Sequence, residues 1–191
     1  MTDEATVDGS VTDDGLYRFE VPRSVYAPGV DEVVLQYPKD TKDVVLLKAY
    51  DLAFTRMLVS PKVDMQGANL SLYNFIVGLA TSVVGVPRDA ALDAWADRAV
   101  DDEGNLTFEY AGHTLSFVYP SAGTIHRVQA EVRTLDVYRT HKRYLKEVLP
   151  TLPSDLYTNV PLFQFCTTIC SEIIGDGFDQ AGEAWQNRPP K

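Results

Sequence analysis

The side chains in this 191-residue chain that could do chemistry are two cysteines, three histidines and two acidic clusters. Cys166 and Cys170 stand four apart in an apolar stretch. On a helix they share a face, where a disulfide is rare, and two ligands do not make a zinc site. They read as small core residues of a reducing compartment. His113 falls in a hairpin turn, while His126 and His141 fall early and late in one helical stretch. At 1.5 Å per residue those two lie about 22 Å apart, too far to act together. Each histidine reads as a lone surface side chain. An enzyme with an unfamiliar site would be built around His126, Arg127 and Glu131, and would need a deep pocket there. Asp176, Asp179 and Glu183 surround Gly177 without the spacing of a twelve-residue calcium loop. Asp101, Asp102 and Glu103 read as a solvated turn. The sequence holds no H-E-x-x-H, no G-x-S-x-G and no glycine-rich phosphate loop. The expectation is a protein that is not an enzyme and uses no cofactor or metal.

The basic residues are more suggestive. Between Ile125 and Leu149, Arg127, Arg133, Arg139, Lys142, Arg143 and Lys146 oppose only Glu131, Asp136 and Glu147, in a chain of net charge −10. The apolar positions Ile125, Val128, Val132, Leu135, Tyr138, Leu145 and Val148 recur with a period near 3.6, which predicts one helix over 124–148. Interface centres favour tyrosine and arginine. The predicted partner-binding residues are therefore Arg133, Tyr138, Arg139, Lys142, Arg143 and Tyr144, and the expected partner is acidic. Reversing Arg139 and Arg143 to Glu is expected to spare folding and weaken assembly. The chain's own acidic N-terminal segment is one such partner. A second contact surface is expected on the N-terminal arm, where Tyr17, Phe19 and Tyr26 could add a strand to a neighbour's sheet edge.

The elements around this stretch echo one another. Leu72 to Arg98 aligns with Leu162 to Arg188 without a gap, matching Leu72/Leu162, Phe75/Phe165, Gly85/Gly175, Asp89/Asp179, Ala91/Ala181, Ala94/Ala184, Trp95/Trp185 and Arg98/Arg188. Upstream, Val34-Leu-Gln-Tyr-Pro38 echoes Ser116-Phe-Val-Tyr-Pro120. Such self-similarity predicts a duplicated module, with copies at 16–100 and 101–191 behind an acidic, disordered tail at 1–15. Each copy reads as a short strand or hairpin followed by three helices. In the first, strands at 17–21 and 33–37 precede helices at 44–59 and 70–84 and a third opened by Pro87. In the second, a hairpin at 106–119 precedes the basic helix, a buried helix at 161–174 and another at 179–186. Trp95 and Trp185 read as core. The fold class is α+β, mostly α.

Bulk composition narrows the partners. With 45% hydrophobic residues and a pI near 4.7, the chain can bury a core but does not suit phosphate backbones or anionic membrane. The longest apolar run, 75–86, is interrupted by Gly78, Thr81 and Ser82 and reads as too short to span a bilayer. The acidic N-terminus lacks the basic-then-apolar pattern of a secretory signal, so a soluble intracellular protein is expected.

From Leu106 to Tyr144, a hairpin ends in Phe117-Val-Tyr-Pro-Ser-Ala-Gly-Thr-Ile-His126 and leads into a helix carrying Gln129, Glu131 and Leu135. This segment, about a third of the chain, resembles small proteins encoded in the tail-assembly region of tailed bacteriophages. Those proteins also have a Y-P-[ST]-A-G-like turn, a charged helix and a following apolar helix. The first copy departs from the pattern, because Tyr37-Pro-Lys-Asp-Thr41 lacks the Ala-Gly. The resemblance implies a virion-associated tail subunit or a tail assembly chaperone, with no catalytic residues to carry over. Its partners would be other phage tail proteins, without nucleic acid or membrane, and a homo-oligomer is compatible with it. Its place would be the host cytoplasm during assembly and, for a structural subunit, the virion. The alternative is an intracellular adaptor that holds an acidic partner on the basic helix 125–149.

Overall fold

The computed structural model describes residues 10–11 and 15–176, and the chain divides into two compact units, 1–86 and 87–191. The protein is α+β and mostly α.

Unit one is built on an antiparallel sheet in the order β1 (Ser10–Val11), β2 (Leu16–Glu20), β3 (Glu32–Gln36), β4 (Leu58–Ser60). Alternation sets its faces. Phe19 opposes Val33 and Tyr17 opposes Leu35, so Phe19, Val33 and Leu35 enter the core together. Arg18 and Glu32 pair across the same strands at 3.2 Å. Two expectations change here. Ser10 and Val11 pair with Arg18 and Tyr17, so part of the segment expected to be a mobile tail is a strand. The rest of that expected tail, apart from Gly15, lies outside the described residues. And β2, carrying Tyr17 and Phe19, pairs with β3 along its whole length and with β1 at Tyr17 and Arg18, so its edge is already taken at those two residues.

The helix expected over 44–59 is instead α1 (Thr41–Leu46), α2 (Ala49–Leu52) and a wider π-turn at Ala53–Met57, followed by β4. Asp40 caps α1 by accepting from the Lys42 amide at 2.8 Å. The chain then extends at Leu47 and Lys48. That bend lets Arg56 Nε reach Asp43 Oδ2 at 2.7 Å. On a straight helix the two would be about 20 Å apart along the axis. The turn also directs Ala53 and Met57 into the core with Leu52.

α3 spans Leu70–Ala96, and the unit boundary falls within it. Asn69 caps it, its Oδ1 accepting from the Ser71 and Leu72 amides. The expected break before Pro87 does not occur: Pro87 lies inside the helix, although proline removes a backbone bond and normally costs about 3 kcal/mol in a helix interior. Its ring is buried. At 27 residues α3 extends well beyond the apolar run 75–86 and is long and apolar enough to cross a membrane by length and composition alone, as a core helix also can be. Leu72, Ile76, Leu79, Ala80 and Val83 face the core of unit one.

Unit two opens with the hairpin β5 (Asn105–Tyr110) and β6 (His113–Val118). Leu106, Phe108, Leu115 and Phe117 turn inward. Ala111 and Gly112 both have positive φ, 50° and 79°, as a two-residue type I′ turn requires. The predicted helix over 124–148 is two helices. α4 (Ala122–Val132) is capped by Ser121, and α5 (Val137–Val148) by Asp136, whose carboxylate accepts from the Arg139 amide at 2.8 Å. Asp136 is a stronger cap than an interior residue, and it ends the run. After a loop, α6 (Val160–Gly175) starts at the cap Asn159 with Pro161 in its first turn.

The duplicated architecture is not confirmed. A hairpin followed by three helices describes unit two alone. Unit one has three strands before its short helices and a fourth after them. The unit boundary is at 86/87, where the repeat placed it at 100/101. Gly85 lies within α3, whereas Gly175 ends α6. Trp185, Asp179, Arg188 and the helix expected at 179–186 lie outside the described residues.

The β5–β6 turn makes a direct test. Ala111 adopts a left-handed conformation that costs a non-glycine residue about 1–2 kcal/mol. Ala111→Asn is expected to raise stability by about 0.5–1 kcal/mol in urea unfolding. No gain would mean that this turn differs from the type I′ geometry.

Candidate functional site

The α4–α5 pair carries the predicted partner-binding residues, and the fold gives them different environments. α5 must cover α6, so its apolar stripe faces inward. Tyr138 is only 7% exposed and packs on Phe163 with ring centroids 5.5 Å apart. Lys142 lies along this aromatic wall, its ammonium 4.0 Å from the Tyr157 centroid and 5.5 Å from that of Tyr138. This is a cation–π arrangement on a largely buried stem. Tyr144 is half-buried and lines a small cavity with His141, Thr167, Cys170 and Ser171.

Arg143 belongs to a clasp. Its Nε lies 2.6 Å from Glu131 Oε2 on α4, and its Nη1 donates to Glu147 one turn further along α5. Arg127 completes the group, 3.5 Å from Glu147 and 4.0 Å from Glu131. Two arginines and two glutamates thus tie the helices together. The hydrogen bond from Arg143 is the main reason the Glu131 carboxyl is held below its ordinary range. The pair Arg143–Glu131 is possible because α5 folds back; on a single straight helix it would span about 18 Å. Reversing Arg143 would therefore disturb this clasp, and the expectation that Arg139 and Arg143 could be reversed together without affecting the fold is revised.

Arg133 and Arg139 remain exposed, at and just after the turn between the helices, with Arg139 3.4 Å from Asp136. Beside them stand two apolar side chains, only one of which the periodicity had counted. Leu135, expected on the buried stripe, is 36% exposed, and Val137 is 55% exposed. The legible signal was Asp136, a helix cap in the middle of an apolar run. His126, Arg127 and Glu131 all lie exposed on α4.

The Tyr-Pro turn has its own role. Tyr119 Oη donates to Asp176 Oδ2 at 2.7 Å, and Arg98 Nη2 donates to Asp176 Oδ1 at 3.3 Å. Burial, aided by this carboxylate, pushes the Tyr119 phenol above its ordinary range. Asp176 is thus engaged by a phenol and a guanidinium, while Asp179 and Glu183, its companions in the calcium reading, lie outside the described residues. The Arg98 guanidinium also covers the Trp95 ring at 3.9 Å. Trp95 is half-buried under it, not a core residue as expected.

Cys166 and Cys170 are buried on α6, and burial pushes both thiols up to about 12. This agrees with the reading of small core residues. His113 pairs with Asp155 at 3.3 Å. His141 is half-buried, lies close to Phe163, and its buried Nδ1 has no hydrogen-bond partner among the described residues. Burial holds its imidazole below the ordinary range.

Two measurements follow from this site. Arg143→Met is expected to lower the urea midpoint, with a smaller loss in about 0.5 M salt. Glu131→Gln should add little once Arg143 is gone; fully additive losses would show that the clasp is not coupled. For His141, the unfolded chain takes up a proton near pH 6.5, whereas the folded chain does so only at lower pH. Its contribution is therefore intact above about 6.5 and is lost as pH falls below that value. His141→Gln should flatten the stability profile just below about pH 6.5, and an unchanged profile would remove His141 as its cause. Compared with protein-family models, curated proteins and solved structures, the chain has no match in any of the three.

Proposed function

We propose that this chain is a bacteriophage tail-module protein that works by binding other tail proteins, and that the α4–α5 turn is its contact surface. The carrying observation is the exposed group Arg133, Leu135, Val137 and Arg139. It combines apolar contact area with two guanidinium groups on a base held by two helix caps and the clasp. Such a surface suits a partner with an apolar stripe flanked by carboxylates. The resemblance between Leu106 and Tyr144 supports the phage assignment, since that segment forms the hairpin, the Tyr-Pro turn, α4 and the first half of α5. With a net charge of −10, binding to nucleic acid or anionic membrane is disfavoured.

Binding during assembly would take place in the host cytoplasm. A structural subunit would then stay in the particle, whereas a chaperone would leave it. An adaptor outside any phage could use the same turn for an acidic peptide, and a tape-measure or tube gene beside this one would decide for the phage reading.

The test is co-purification with the tail proteins encoded alongside, using Leu135→Asp/Val137→Asp. Both positions are exposed, so the melting temperature should hold while affinity falls by tenfold or more, about 1.4 kcal/mol. Equal recovery of partner with parent and variant would exclude this turn. Mass spectrometry of purified particles then separates the two roles.

A further inference from the structure

Unit one carries a second surface of opposite character. An open groove of about 310 Å³ runs between α2 with its π-turn and the loop after β4. Tyr50, Phe54 and Met65 supply its apolar walls, and Asp51, Asp64 and Gln66 its polar ones. The loop that forms one side is set by Asp64, a lining residue whose Oδ1 accepts from the Gly67 amide at 2.7 Å. Phe54 is fixed from behind by Tyr73, stacked at 5.5 Å with ring planes 15° apart. Met65 is 42% exposed and flexible enough to adapt to an occupant.

Each part of the lining favours a cation with an aliphatic stem. Among its described lining residues are two carboxylates and no basic side chain, with Lys48 standing next to Tyr50. The negative face of an aromatic ring attracts an ammonium or guanidinium within about 6 Å of its centroid. Tyr50 already shows this, since the Lys48 ammonium stands 5.8 Å from its ring centroid. The methylenes of a lysine or arginine would lie against Phe54 and Met65, as such stems do on apolar surface.

We infer that this groove is a docking site for a basic, apolar peptide segment of a partner protein, with a lysine or arginine head between Asp51 and Asp64 and its stem on Phe54 and Met65. The site goes beyond the α4–α5 turn: it lies on the other unit and selects the opposite charge. One partner with both kinds of segment, or two partners, could be held by a single chain.

The experiment titrates the full-length, ¹⁵N-labelled protein with two synthetic peptides of equal length, one alternating lysine and leucine, the other glutamate and leucine. The lysine peptide should shift the amides of Thr55, Met65 and Gln66 in a saturable way, and the glutamate peptide should not. Asp51→Asn with Asp64→Asn should weaken binding by about tenfold, and added salt should weaken it further. Asn at position 64 keeps an oxygen for the Gly67 amide. Met65→Lys, at an exposed position, should give a comparable loss without touching any hydrogen bond described for the groove. Equal shifts from both peptides, shifts confined to other regions, or unchanged affinity in Met65→Lys would each overturn the inference. None of these outcomes bears on the α4–α5 turn, whose variants are read out with different partners.

Discussion

The fold of unit two follows from the need to keep α6 out of water. Between Val160 and Gly175 the one charged side chain is Glu172, and Leu162, Phe163, Phe165, Cys166, Ile169, Cys170 and Ile173 are all buried. Each such large apolar side chain contributes about 1.5–3 kcal/mol when it leaves water. No single partner can surround a helix that is apolar on most sides. The hairpin supplies Phe108 edge-on and Tyr110 face-on to Phe165, the latter with centroids 4.1 Å apart. α5 supplies Tyr138 and His141 against Phe163, and the loop before α6 supplies Tyr157. Hairpin, α5 and loop therefore all close on the same helix.

This demand decides the fate of the basic residues. Once α5 turns its tyrosine stripe inward, Lys142 follows it onto the aromatic wall, and Arg143 falls where the glutamates of both helices can reach it. Two of the six basic side chains, Lys142 and Arg143, are thus engaged within unit two, while Arg127, Arg133, Arg139 and Lys146 stay exposed. At the turn between the helices, exposed Arg133 and Arg139 flank exposed Leu135 and Val137, the surface proposed above for a partner. An exposed ion pair contributes little by itself, but a four-membered network across two helices can fix their relative position. That fixed position keeps the turn from fraying.

The parts of this structure legible in the sequence are those where a local rule meets no opposition. The β5–β6 hairpin alternates strictly, so both strands were visible, but His113, expected in the turn, opens β6 opposite Tyr110, and the turn is Ala111-Gly112 alone. α6 was visible as an apolar run from Pro161 to Ile174 ended by a glycine, and the structure adds Asn159 as its cap. The misses have a common form. Pro87 normally disfavours a helix interior, yet here it is buried in one. Asp136 normally caps a helix, and it does so here against an apolar period that continued through it. Met57 sits five residues after Leu52, a spacing that suits a widened turn and not a straight helix. In each case tertiary packing and local preference competed, and the one-dimensional pattern does not show which prevails. The exposure of Leu135 was missed for the same reason: it belongs to the apolar period on paper and to the surface in space. The groove in unit one carries no linear signature, since its walls come from two segments separated by a strand.

The burial of both sulfurs has a practical side. Proteins with accessible thiols must usually be stripped of them before a probe can be placed at will. Here Cys166 and Cys170 are sealed in the interior of α6 and remain protonated at any pH suited to maleimide coupling. A cysteine installed at exposed Val137 would outcompete them for the reagent. The native background is therefore ready for fluorophores, spin labels or photo-crosslinkers at either surface described above, without prior mutation.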